Sequence, residues 1–152
     1  MMGGELCINA RLAFVSTQTT KKSKTTIKIP LKYKKQDNII LFKGIGFICL
    51  KKSGRSINKK YLKELAKKYK LPAFGAILYK KNKIAPYVYV KKVDSFIKET
   101  ACGSGSIAFS LFSGYKNITQ PTGKTINIEI NKKVIEISAF VNLIKSRRVV
   151  LK

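Results

Sequence analysis

Two cysteines, Cys7 and Cys102, each open a stretch of small residues that runs into an apolar helical pattern: G-G-E-L-C-I-N-A-R-L-A-F over 3–14 and E-T-A-C-G-S-G-S-I-A-F-S over 99–110. A thiol at a helix N-terminus meets the positive end of the macrodipole and unpaired backbone N–H groups, which lower its pKa and make it a usable proton acceptor. Two such thiols facing one another would form a proton-transfer site. Taken singly, each cysteine reads as a small buried hydrophobe, and Cys49, inside the strand-like run Phe47 to Leu50, keeps that reading.

The elements that must position the thiols can be read from periodicity. Ile8, Leu12 and Val15 recur at i, i+4 and i+7, the face of a short helix that begins after Cys7 and ends at the polar run Ser16 to Lys24. Strand-like pieces follow at Thr25 to Ile29, Asn38 to Phe42 and Phe47 to Leu50, separated by turn residues, and suggest an antiparallel meander. Ser56 is placed to cap a helix with apolar positions Ile57, Tyr61, Leu65, Ala66 and Tyr69, closed by Pro72. Phe74 to Tyr79 and Pro86 to Lys91 read as a strand pair about the turn Lys80 to Lys83. After Cys102 an apolar stripe of Ile107, Ala108, Leu111 and Phe112 leads to Gly114, a suitable C-terminal cap. Thr125 to Ile130, Val134 to Phe140 and Arg147 to Leu151 read as the last strands, with Asn131-Lys132 turning the first hairpin. The fold class this order predicts is α+β.

Composition bounds the function. A chain of 152 residues, 45% hydrophobic, can bury a sizeable core, and no run approaches the roughly 18 apolar residues of a membrane span. The start lacks the pattern of a secretory signal, and three cysteines cannot all pair, so free thiols in a reducing cytoplasm are expected. A net charge of +25 raises nucleic acid as a partner. Only four of the cations are arginine, however, and the lysines are scattered in pairs along the chain, which favours a solvated lysine-rich surface. With no histidine and three dispersed cysteines, no zinc shell is expected, and no phosphate loop of the G-x-x-x-x-G-K-[ST] form occurs. Ser104 in G-S-G has no histidine anywhere to act as its base, which excludes serine-hydrolase chemistry.

Three short motifs then carry a resemblance. M-x-G-x-E-x-C-x-N-A is present as Met1, Gly3, Glu5, Cys7, Asn9 and Ala10; C-G-S-G occupies Cys102 to Gly105; and Q-P-x-G occupies Gln120 to Gly123. In this order they resemble the cofactor-independent amino-acid racemases and epimerases of the diaminopimelate epimerase superfamily, and within it most the histidine racemases of opine-metallophore pathways. The resemblance implies antiparallel sheets wrapped around central helices in two pseudo-symmetric lobes, the first of them incomplete and shortened at its N-terminus. Residues 1–24 would be the partial first lobe with the Cys7 helix, 25–140 a strand-rich second lobe with the Cys102 helix, and 141–152 a strand returning to the first lobe.

The same resemblance implies a two-base isomerase that needs no cofactor. Cys7 and Cys102 would be the acid/base pair, and Asn9, Gly103, Ser104 and Gly105 would line the substrate carboxylate site through side-chain and backbone donors. Glu5 would contact the amino group or side chain of the substrate. Ile8 stands where the family has glycine, and its β-branched side chain restricts backbone approach to a ligand at the first helix. The E-R-G stretch of diaminopimelate epimerases is missing from 92–98, which favours a monocarboxylic amino acid. Two alternatives remain open at this stage. One is an inactive truncated remnant that forms a homodimer through unpaired strands; the other is a basic nucleic-acid binder.

Overall fold

The computed structural model describes residues 8–17, 24–30, 32–54, 56–131 and 134–141. Among them, three α-helices and ten strands follow in the order α1 (Ile8–Thr17), β1 (Lys24–Pro30), β2 (Tyr33–Gln36), β3 (Ile39–Phe42), β4 (Ile45–Lys51), α2 (Lys59–Lys68), β5 (Ala73–Lys80), β6 (Lys83–Val90), β7 (Ser95–Lys98), α3 (Gly103–Ser113), β8 (Asn117–Thr119), β9 (Thr125–Asn131) and β10 (Val134–Phe140). The chain is α+β. The strands form a single sheet ordered β1-β10-β9-β8-β6-β5-β4-β3-β2, with β7 added beside β6.

The expected meander is only partly realised. β2, β3 and β4 do pair antiparallel, but β1 leaves its sequence neighbours and pairs with β10. Its alternation explains the choice: Thr25, Ile27 and Ile29 are buried and lie opposite Ala139, Ile137 and Ile135, so both strands turn their apolar side chains to one core. β4 and β5 run parallel, because α2 carries the chain back across the sheet between them.

Both strands of this parallel pair are covered on each face, which is why they are nearly continuous apolar runs instead of alternating ones. Two glycines let them pack. A Cβ on Gly46 would lie 2.6 Å from the Phe74 ring, and one on Gly75 would lie 2.5 Å from the Phe47 ring. Each glycine is thus the space into which the phenylalanine paired with it leans.

The helix α2 begins at Asn58, whose side-chain oxygen accepts the Tyr61 N–H at 2.9 Å, two residues beyond the expected cap Ser56. It ends in a Schellman arrangement. The Leu71 N–H reaches the Ala66 carbonyl and the Lys70 N–H the Lys67 carbonyl, with Lys70 at φ 52° in the position that glycine usually takes. Leu62 and Ala66 point down onto Ile48, Phe74, Ala76 and Tyr89, a small core on the outer side of the sheet.

The larger core surrounds α3, in which every residue from Gly103 to Ser110 is buried. An apolar stripe would not suffice for such a helix; this one is contacted by β3, β4, β5, β9 and α1. Its C-terminus closes on Gly114 at φ 79°, as expected, and the Lys35 ammonium of β2 donates to the Leu111 and Phe112 carbonyls, placing a cation at the negative end of the helix. The expected strand Arg147 to Leu151 lies outside the described residues.

Cys49 is buried in β4, and burial pushes its thiol up to about 12, with Lys35 pulling slightly the other way. A folded-state pKa raised from 9.0 means that the stabilisation is fully present below pH 9 and is lost as pH rises toward 12. Three pH units correspond to about 4 kcal/mol. Urea midpoints of the wild type should therefore fall more steeply than those of Cys49→Ala over this range. Parallel curves would show that Cys49 does not titrate against its burial.

Candidate active site

Cys102 is the N-cap of α3, with extended backbone angles of φ −139° and ψ 103°. Its sulfur accepts the Gly105 N–H at 3.3 Å and lies 3.7 Å from the Ser104 hydroxyl oxygen. Side-chain capping of the third helical N–H is a role usually given to serine, threonine, asparagine or aspartate. Here the thiol performs it.

The electrostatics differ from the sequence expectation. The Cys102 thiol is held well above its usual pKa, first by complete desolvation, then by the charge of nearby Glu99 and the hydrogen bond between the two groups. The Gly105 N–H and the Ser104 hydroxyl pull the other way and are outweighed. Burial under the sheet thus overrides the helix terminus, and the resting group is the protonated thiol, the form that donates a proton.

Glu99 was not singled out by the sequence. It follows β7, its own carboxyl is raised by burial, and its Oε2 is buried with no hydrogen-bond partner among the described residues. The only hint in the sequence was its place at the head of the E-T-A-C-G-S-G run, where an acid three residues before a helix cap passes as ordinary loop chemistry.

Gln120, the first residue of Q-P-x-G, is a further member of the site. Pro121 and Gly123 shape a turn in which the Gly123 N–H reaches the Gln120 carbonyl and Gly123 adopts φ 79°. The turn sends the Gln120 side chain inward, 3% exposed, toward α3. There its Oε1 accepts the Cys102 N–H at 3.0 Å, while its Nε2 donates to Ser106 Oγ at 2.9 Å and to the Ile118 carbonyl. Ser106 Oγ in turn donates to the Cys102 carbonyl at 2.6 Å.

Of the remaining expected site residues, Asn9 is brought to Cys102 from the start of α1. Its Oδ1 accepts the Gly103 N–H and its Nδ2 donates to the Ala101 carbonyl, both at 2.9 Å. Beside it, Ile8 packs so closely on Gly103 that a Cβ there would lie 2.4 Å from the Ile8 side chain. Glycine at 103 is therefore required by helix docking. Gly103, Ser104 and Gly105 all stand in the first turn of α3 and are buried. Cys7 and Glu5 lie outside the described residues. Among the described residues, no group of three or more His, Cys, Asp or Glu side chains could hold a metal ion. No described helix is long and apolar enough to cross a membrane.

The fold and the sequence have counterparts among known proteins. In fold the chain is similar to a putative phenazine biosynthesis PhzC/PhzF protein from Clostridium difficile (strain 630), with a TM-score of 0.59 at 13% identity over 97% of this chain and 74% of that one. That likeness places the molecule in the diaminopimelate epimerase-like fold. In sequence it is 34% identical over 98 residues to a histidine racemase of Fusobacterium nucleatum subsp. nucleatum (strain ATCC 23726 / VPI 4351), a match covering 56% of this chain and 37% of that relative. The chain therefore spans well under half the length of the curated relative it matches. Residues 40–146, which include Cys102 and Gln120, match the family described as the histidine racemase CntK N-terminal domain. With more than two thirds of its length inside that match, the chain belongs to the family of histidine racemase N-terminal domains.

Proposed function

We propose that the chain provides the proton-transfer machinery of a cofactor-independent amino-acid racemase acting on histidine or a similar monocarboxylic amino acid, with Cys7 and Cys102 as the acid/base pair. The observation that carries this reading is the docking of the α1 start onto the backbone around Cys102 through Asn9. One residue joins Asn9 to Cys7, so covalent geometry keeps their Cα atoms within about 7.6 Å. Histidine as the substrate is supported by the likeness to the histidine racemase N-terminal domain family and to the Fusobacterium histidine racemase.

The α-proton of an amino acid is very weakly acidic. Its removal without an electron sink needs a desolvated base and donors for the charge that develops on the carboxylate. In this reading one sulfur, as thiolate, takes the α-proton from one face, and the opposite thiol gives its proton to the other face. The two exchange roles with the direction of reaction. Cys102, protonated at rest, is the donor for the first turnover. Because Asn9 and the Cys102 sulfur take the Gly103 and Gly105 amides, Ser104 is the group in the first turn of α3 left to meet the carboxylate. Glu5 remains a candidate for the substrate amino group. Free thiols of this kind persist in a reducing cytoplasm, the compartment we assign.

The test uses the full reduced chain with L-histidine in deuterated water. Chiral chromatography should show D-histidine, and mass spectrometry one deuterium at the α-carbon. Intact thiols with no deuterium incorporation would refute the reading.

A further inference from the structure

All four backbone polar groups around Cys102 are held by partners. The Ala101 carbonyl and the Gly103 N–H go to the two ends of the Asn9 amide, and the Cys102 N–H goes to Gln120. The Cys102 carbonyl receives the Ser106 hydroxyl, itself held by Gln120, and the Ser106 N–H. One amide side chain arrives from 94 residues before Gly103 and the other from 18 residues after Cys102. Both reach it with carbonyl and NH₂ ends engaged at once.

We propose that Asn9 and Gln120 are positioning residues forming a two-sided clamp on the Cys102 peptide groups, and that Asn9 serves the site through this clamp and not as a ligand of the substrate carboxylate. The inference deepens the racemase reading and rests on it for its kinetic consequence. Its structural content stands on the four backbone contacts. The N–H of an extended N-cap has no helical acceptor and its carbonyl takes only the first intrahelical bond, so side-chain partners on the flanking peptide groups set the direction of its Cα–Cβ bond. Asparagine and glutamine suit this task because each carries an acceptor and donors on one rigid plane. Asn9 also spans α1 and α3, so loosening it loosens the junction between the two helix starts together with the thiol.

The experiment compares the full-length wild type with Asn9→Ala and Asn9→Asp, and reads iodoacetamide alkylation of each cysteine by peptide mass spectrometry. Losing two ordinary hydrogen bonds should make Cys102 in Asn9→Ala react about tenfold faster. Asn9→Asp keeps an acceptor for the Gly103 N–H and should fall between, which separates the clamp from gross misfolding. Cys49, buried in β4 with its backbone held by Asn38 and not by the clamp, should react as in the wild type in both. In a chain that racemises, kcat should fall about tenfold with KM unchanged, as expected when geometry rather than substrate binding is lost. A raised KM with wild-type alkylation of Cys102 would make Asn9 a substrate ligand and overturn the proposal. Equal acceleration at Cys49 and Cys102 would overturn it as well, by reducing Asn9 to general stability. If the wild type does not racemise, the alkylation comparison still decides for or against the clamp, and only the reading of function falls.

Discussion

Cys102→Ala is expected to lower α-proton exchange by about 10²–10⁴-fold, the range lost when a positioned acid/base group is removed. Alanine also deprives the Gly105 N–H of its acceptor, and a buried donor left alone costs about 1–3 kcal/mol. Inactivity of that variant by itself would therefore confuse chemistry with stability. Cys102→Ser separates the two. Serine is a favoured N-cap and should hold the Gly105 N–H, so its thermal midpoint should stay near that of the wild type. Its hydroxyl is far less acidic than a thiol, so exchange should remain as low as in the alanine variant. The measurements are deuterium incorporation at the histidine α-carbon and thermal unfolding, made on the same preparations. Wild-type exchange in either variant would remove Cys102 from the chemistry.

Gly75→Ala should cost about 1–3 kcal/mol, the range that overpacking a core typically costs. The new Cβ would stand 2.5 Å from two ring carbons of Phe47 and 3.0 Å from the Tyr87 carbonyl oxygen. The backbone cannot yield, because β5 is bonded on both edges, to β4 and to β6. Nor can the ring: Phe47 is fully buried and sits edge-on to Phe42, their centroids 6.3 Å apart. The expected result is a clear drop in the urea midpoint. A midpoint equal to that of the wild type would show that β4 and β5 separate more easily than their packing indicates.

Local pattern made much of this molecule legible. The β1 alternation, the α2 periodicity, the β5–β6 pair, the helix after Cys102 and its glycine cap all follow from spacing, because each depends on residues only two to four positions apart. The short strands β2, β7 and β8 carry no buried alternation long enough to mark them. Residues such as Tyr33–Gln36, all exposed, carry no buried face to mark them as strand, and only the neighbouring β3 makes them one.

For the site, the sequence by itself determined that a cysteine would cap a glycine-containing helix beginning near residue 102, because small residues, the apolar stripe and Gly114 are all local signals. Tertiary structure alone decided what that cysteine is. Wrapping the sheet around α3 desolvates the thiol and raises its pKa, against the local pull of the helix terminus. It also brings Asn9 and Gln120 to one backbone segment from opposite directions along the chain. Desolvation and long-range hydrogen bonds depend on which surfaces meet in space, and no spacing along the chain encodes that meeting.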